Sequence, residues 1–173
     1  MQCTFNNPKA IALISGSNTT SSITGTVKFY QKQNCVLVTA DISGLPHNEA
    51  GFFGFHIHEG SDCGGNGFSN SKSHFNPEAN PHPKHAGDLP PLMLCGNKAH
   101  LSVLTDRFKI AEIIGRTVII HNMPDDFTTQ PSGNAGEKIA CGVITVIASQ
   151  INAAVPSACL SMLFLKRSSA TYI

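Results

Sequence analysis

Apolar and polar positions alternate with period two along much of this chain. Ile23, Val27 and Phe29 fall on one side of a segment whose other side carries Thr24, Thr26 and Lys28. A little further on, Val36, Val38, Ala40 and Ile42 line up in the same way, and Gln33-Asn34 between the two segments suits a hairpin turn. Alternation enriched in β-branched residues predicts half-buried strands. Further strands are predicted over 9–15, 53–58, 98–104, 116–122 and 140–148. One helical turn is predicted over 110–114, ended by Gly115, and no long 3.6-period segment appears. Several short strands broken by Gly, Pro and Asn imply an all-β, antiparallel sandwich or barrel.

The stretch from Glu59 to Met93 breaks the pattern. It is rich in Gly, Ser, Asn and Pro and poor in strand formers. A loop of that length in a compact domain needs a function or a tie. The 173 residues, 41% of them hydrophobic, fit one domain of ordinary size. The predicted division is a domain over 1–148 and an apolar C-terminal extension over 149–173. That extension is too short and interrupted to span a bilayer, which takes about 20 apolar residues, and it suits a packed segment or a homodimer contact. The net charge is +1 with no basic tract, which argues against nucleic acid or an anionic membrane as partner. The first residues lack a charged and then apolar leader pattern. The expected location is cytoplasmic, or exported with a leader outside this sequence.

Histidine changes the picture. Of eight, six gather in four short groups: His56-Ile57-His58, His74, His82-Pro83-Lys84-His85 and His121. Neutral imidazole suits copper and zinc alike. Alternate residues of a strand share a face, so His56 and His58 can reach one ion together. His121 ends a second apolar strand and supplies a third nitrogen from across the barrel. His82, His85 and Asp88 recur at three-residue intervals, a donor set that suits zinc but lacks a fourth member. His74 lies between the groups, and its two ring nitrogens can serve both. The His-x-His-x-Asp-His pattern of binuclear zinc hydrolases is not met, because Asp62 is misplaced and no His follows it. Six cysteines at 3, 35, 63, 95, 141 and 159 are widely spaced, and most are expected as buried thiols.

The groups Gly54-Phe55-His56-Ile57-His58-Glu59, His74-Phe75-Asn76-Pro77, His85-Ala86-Gly87-Asp88-Leu89, Gly115-Arg116-Thr117 through His121, Gly133-Asn134-Ala135-Gly136 and Ala140-Cys141-Gly142 occur in this order. In them the chain resembles the copper–zinc superoxide dismutase family over about residues 8–148. Its short loops are most similar to those of bacterial members. The resemblance implies a Greek-key, immunoglobulin-like barrel with long metal-binding loops. It implies superoxide anion as substrate, disproportionated to oxygen and hydrogen peroxide. Copper would sit on His56, His58, His74 and His121, and zinc on His74, His82, His85 and Asp88, with His74 as bridge and proton carrier. Asp125 would link the two sites from behind, with a turn residue in Pro124-Asp125-Asp126 as the alternative. Cys63 and Cys141 would form a disulfide. The family's active-site Arg position holds Lys138, a flexible point charge in place of a planar fork, which implies reduced turnover. A non-catalytic copper- or zinc-binding module on the same scaffold, a metal chaperone or buffer, is the alternative that this substitution keeps open.

Overall fold

The computed structural model describes residues 7–147. The extension proposed over 149–173 lies outside the described residues, as do Cys3 and Cys159. Eight antiparallel strands follow one another as β1 (Ala10–Gly16), β2 (Thr24–Lys32), β3 (Cys35–Ser43), β4 (Phe52–His58), β5 (Asp88–Met93), β6 (Lys98–Thr105), β7 (Thr117–His121) and β8 (Lys138–Val146). A single helical turn, α1 (Ile110–Ile113), precedes β7. The hydrogen-bonded order is β5-β4-β7-β8-β1-β2-β3-β6. β5 and β6 come side by side at the remaining seam, so the sheet curls into a nearly closed Greek-key barrel.

The alternation read from the sequence is the inside–outside rule of this barrel. Ile23, Val27 and Phe29 are fully buried, as are Val36, Val38, Ala40 and Ile42 on the paired strand. The ring of Phe29 meets that of Phe108 edge-on at 6.5 Å, which plugs one end of the core.

Two differences from expectation carry meaning. Asp88–Met93 belongs to β5, not to the long loop. Pro90 and Pro91 hide it, because proline lowers strand propensity. They are tolerated because β5 pairs with β4 alone, and an edge strand has one row of amides that need no partner. Strands β4 and β7 also depart from half-burial. Every residue from Phe53 to His58 and from Thr117 to His121 is buried. Phe53, Phe55, Ile57, Val118 and Ile120 fill the barrel, so the intervening residues are covered from outside. The cover consists of the 59–87 segment and the β7–β8 loop. It is pinned to β8 by a disulfide between Cys63 and Cys141, which closes a loop of 78 residues. Such a closure is worth about 4 kcal/mol in the chain-entropy account. Among the described residues Cys35 and Cys95 are free, and neither is the buried thiol expected: Cys35 is half-buried and Cys95 exposed. No described helix is long and apolar enough to cross a membrane.

Candidate metal centre

The centre lies on the outer wall of the barrel. His56 and His58 project from β4, and His121 projects from β7 next to it. The third imidazole therefore comes from the adjacent strand and not from across the barrel. Gly54 makes this possible: a Cβ there would stand 3.2 Å from that of His121 and 3.3 Å from the His56 ring.

Three backbone hydrogen bonds bring the remaining groups onto this wall. The Phe75 amide donates to Ile57 O at 2.8 Å, the Gly87 amide to Phe75 O at 2.8 Å, and the Ile57 amide to Gly87 O at 2.9 Å. They form a closed ring of donors and acceptors. Each member neighbours a site residue: His56 and His58 flank Ile57, His74 precedes Phe75, and Asp88 follows Gly87. A side chain at Gly87 would place its Cβ 2.2 Å from Ile57 O, so only glycine lets the strands approach this closely. Arg116 braces the same corner. Its guanidinium lies 3.9 Å from the centre of the Phe75 ring, and it donates to Glu112 O at 2.7 Å and Glu59 O at 3.2 Å. The motif around Arg116 was visible in the sequence, but nothing there gave it this bracing role.

The donor atoms fall into two groups. One nitrogen each from His56, His58, His74 and His121 lie within 4.8 Å of one another. So do one atom each from His74, His82, His85 and Asp88. Every one of these residues is buried. Most of the rings have one nitrogen committed to the protein. His58 Nδ1–H donates to Lys72 O at 2.8 Å, and His121 Nδ1–H to Gly136 O at 3.1 Å. His56 Nε2–H and His82 Nε2–H donate to the two oxygens of Asp125, at 2.8 and 2.9 Å. Asp125 thus ties one group to the other. Its loop closes over it through the Phe127 amide, 2.7 Å from Oδ1, and through Gly133, where a Cβ would sit 2.0 Å from the same oxygen.

The opposite nitrogens are left without donors. His56 Nδ1, His74 Nε2 and His82 Nδ1 are buried with no hydrogen-bond partner. His58 Nε2 and His121 Nε2 face each other at 3.3 Å with both protons spent elsewhere. Lone pairs turned on one another in a dry site repel unless a cation lies between them. Ligand nitrogens on a tetrahedral ion, at the usual metal–nitrogen length, stand about 3.3 Å apart. In the second group, His85 Nδ1 is 3.5 Å from His74 Nδ1 and 3.3 Å from Asp88 Oδ1. His82 Nδ1 is 3.0 Å from Asp88 Oδ2. The donor sets and their orphaned atoms fit two cations, with the His74 ring presenting Nε2 to one group and Nδ1 to the other.

Electrostatics agree with this reading. Burial lowers the His56 imidazole to about 4 against the pull of Asp125, and lowers His121 to about 3 with help from the charge of His56. Burial also pushes His58 well below its ordinary value, followed by repulsion from His74 and His121. Burial opposes ionisation of Asp125, but hydrogen bonds from His56, the Phe127 amide and His82 outweigh it, and the carboxyl lies well below its usual range. Asp88 is lowered in the same manner by His74. Neutral imidazoles and ionised carboxylates are the ligating forms.

Lys138 opens β8 beside this wall. Its Nζ donates to Ser71 Oγ and to Lys72 O, both at 2.8 Å, so Lys72 O serves Lys138 and His58 together. Lys138 lowers the imidazoles of both His58 and His121, which places its charge on their side of the centre. It also lines an open groove of about 910 Å³ with Ser17, Cys63, Gly65 and Glu137. His47 and His100 stay apart from the centre. His100 is exposed and pairs with Asp41 at 2.7 Å.

The family model for copper/zinc superoxide dismutase matches residues 23–144. Superoxide dismutase (Cu-Zn) 2 of Aquifex aeolicus is 33% identical over 143 residues, 73% of this chain and 82% of the relative. The Legionella pneumophila enzyme of the same name is 38% identical over 130 residues, 69% and 76% of the two chains. Superoxide dismutase (Cu-Zn) 3 of Arabidopsis thaliana is 34% identical over 161 residues, 83% and 94%.

The metal-free protein should lose stability on acidification. His56 and His121 bind protons less readily when folded than when unfolded, where imidazole titrates near 6.5. Their contribution is therefore present above about pH 6.5 and lost as the pH falls through about 4 and then 3. Thermal unfolding of metal-free protein across pH 7 to 4 should show a falling midpoint. A level profile would contradict the burial of these neutral rings.

Proposed function

Because this chain belongs to the copper/zinc superoxide dismutase family, it disproportionates superoxide with copper and zinc as cofactors, and we propose which residues carry each part of that work. Copper is held by His56, His58, His74 and His121. Zinc is held by His74, His82, His85 and Asp88. The observation that carries this assignment is the His74 ring, buried with Nδ1 among the zinc donors and Nε2 unpartnered among the copper donors. Bound copper supplies a one-electron couple that takes an electron from one superoxide and returns it to another, while zinc contributes fixed positive charge.

The chain's own residues do the rest. Asp125 fixes His56 and His82 in the tautomers that leave Nδ1 free. Lys72 O and Gly136 O do the same for Nε2 of His58 and His121. His74 Nε2 is the only atom of the bridge ring able to hold a proton while Nδ1 stays engaged, which makes it the proton carrier for the peroxide product. Lys138 guides the anion. Two of its three donors are tied to the 71–72 segment, which steadies the ammonium and leaves one donor for the substrate. A single remaining donor offers less than a planar fork would, so turnover is lower than an Arg at this position would give. The reading of the chain as a metal buffer without turnover is not favoured, since the relatives are dismutases by name.

Titrating metal-free protein with zinc and then copper should bring superoxide turnover in step with copper, reaching its limit at one equivalent. Full loading without turnover would contradict the assignment. Lys138→Ala should lower kcat/KM about 10-fold at low ionic strength and flatten its salt dependence, and Lys138→Arg should raise it above the parent. An unchanged salt slope in Lys138→Ala would remove Lys138 from anion guidance.

A further inference from the structure

His82 and His85 lie on a segment that has little regular pairing, and Asp88 opens β5 at its end. Its internal bonds are few: the Lys84 amide donates to Pro81 O, the Asp88 amide to His85 O, and the His85 amide to Asp88 Oδ2 at 3.0 Å. Beyond the Gly87 backbone bonds to Phe75 and Ile57 and the Asp125 contact with the His82 ring, two exposed side chains from other parts of the chain hold its backbone. Gln130, in the β7–β8 loop, accepts from the His82 amide at 3.0 Å and donates through Nε2 to His82 O at 2.7 Å. It pairs with that residue as a neighbouring strand would. Arg107, between β6 and α1, points Nη1 at three carbonyls, those of Pro83 at 2.9 Å, Asp88 at 3.2 Å and His85 at 3.4 Å. Neither side chain reaches a ligand atom. Between them they secure the backbone of all three residues that the zinc group draws from this segment.

Resting on the zinc assignment above, we infer that Gln130 and Arg107 are positioning residues that hold the 82–88 segment in its ligating shape before the metal arrives. A loop free in the metal-free protein must be ordered by the metal, and that ordering weakens the observed affinity. The five hydrogen bonds from Gln130 and Arg107, added to the Gly87 backbone bonds, lower that burden. The two clasps also differ in charge. Gln130 is neutral, whereas Arg107 puts a positive charge near a cation site. A purely electrostatic Arg107 would therefore weaken metal binding, and its removal would tighten it. A clasp predicts the reverse.

Cobalt reports on this directly, because tetrahedral Co2+ gives visible bands that zinc lacks. In the folded, disulfide-intact, metal-free chain, the bands abolished by Asp88→Ala identify the zinc group. For that signal, Gln130→Ala and Arg107→Met should each bind Co2+ about 10-fold more weakly than the parent. Arg107→Lys, which keeps one charged donor, should recover part of the loss. Hydrogen exchange of metal-free protein should quicken over residues 82–88 in Gln130→Ala and Arg107→Met, while β2 and β3 stay protected. Equal affinity in both variants with the barrel protected would overturn the inference, and so would tighter binding in Arg107→Met. A parent whose cobalt spectrum is indifferent to Asp88→Ala would instead overturn the zinc assignment, and the clasp would fall with it.

Discussion

His74 is a buried imidazole with a carboxylate 2.8 Å from one ring nitrogen and no protein partner for the other. Leaving a ring nitrogen dry and unpaired is unfavourable, and the structure accepts this for three histidines at once. The arrangement makes sense only if something other than the protein completes it. Two groups of donors meet at this ring, one built on strands and one on a loop. Its position is set by the closed ring of backbone hydrogen bonds through Ile57, Phe75 and Gly87. Those bonds fasten the loop to the barrel before any side chain is considered.

The barrel acts as a wall rather than a container. Its interior is filled with Phe, Ile, Val and Leu, and the candidate metal donors His56, His58 and His121 stand on the outward side of β4 and β7. Those residues are buried because the disulfide, the Arg116 brace and the β7–β8 loop hold a cover over them. The cover lowers the imidazoles into their neutral form. It also leaves Lys138 at the edge, half-buried, where an anion can meet it. One construction thus supplies dry ligands and a charged entrance, and Lys72 O joins the two by accepting from both His58 and Lys138.

Much of this was legible in the chain, for identifiable reasons. Strands β2 and β3 have one wet face and one dry face, so Val36 to Ile42 announce themselves by alternation. β5 does not, since Pro90 and Pro91 are permitted only by its place at an edge, which is a property of the assembled sheet. The six histidines were readable as candidate metal ligands from residue type and spacing, and the structure gathers them into two donor groups. That His121 arrives from the strand beside β4 was not, because strand order is decided by non-local pairing. The link between Cys63 and Cys141 came from resemblance, as their spacing alone favours no pairing. Gln130 and Arg107 gave no signal at all. Both are exposed polar residues in loops, and their contacts with His82 and Asp88 exist only once three separate segments have been brought together.

The shared ring at position 74 is tested most directly by diffraction from crystals of the oxidised, fully loaded protein, with anomalous data at the copper and zinc edges. Two different ions should lie on opposite sides of the His74 ring, each about 2.0–2.1 Å from one of its nitrogens, with copper at Nε2 and zinc at Nδ1. A ring bonded to one ion alone, or the two metals in reversed places, would contradict this assignment.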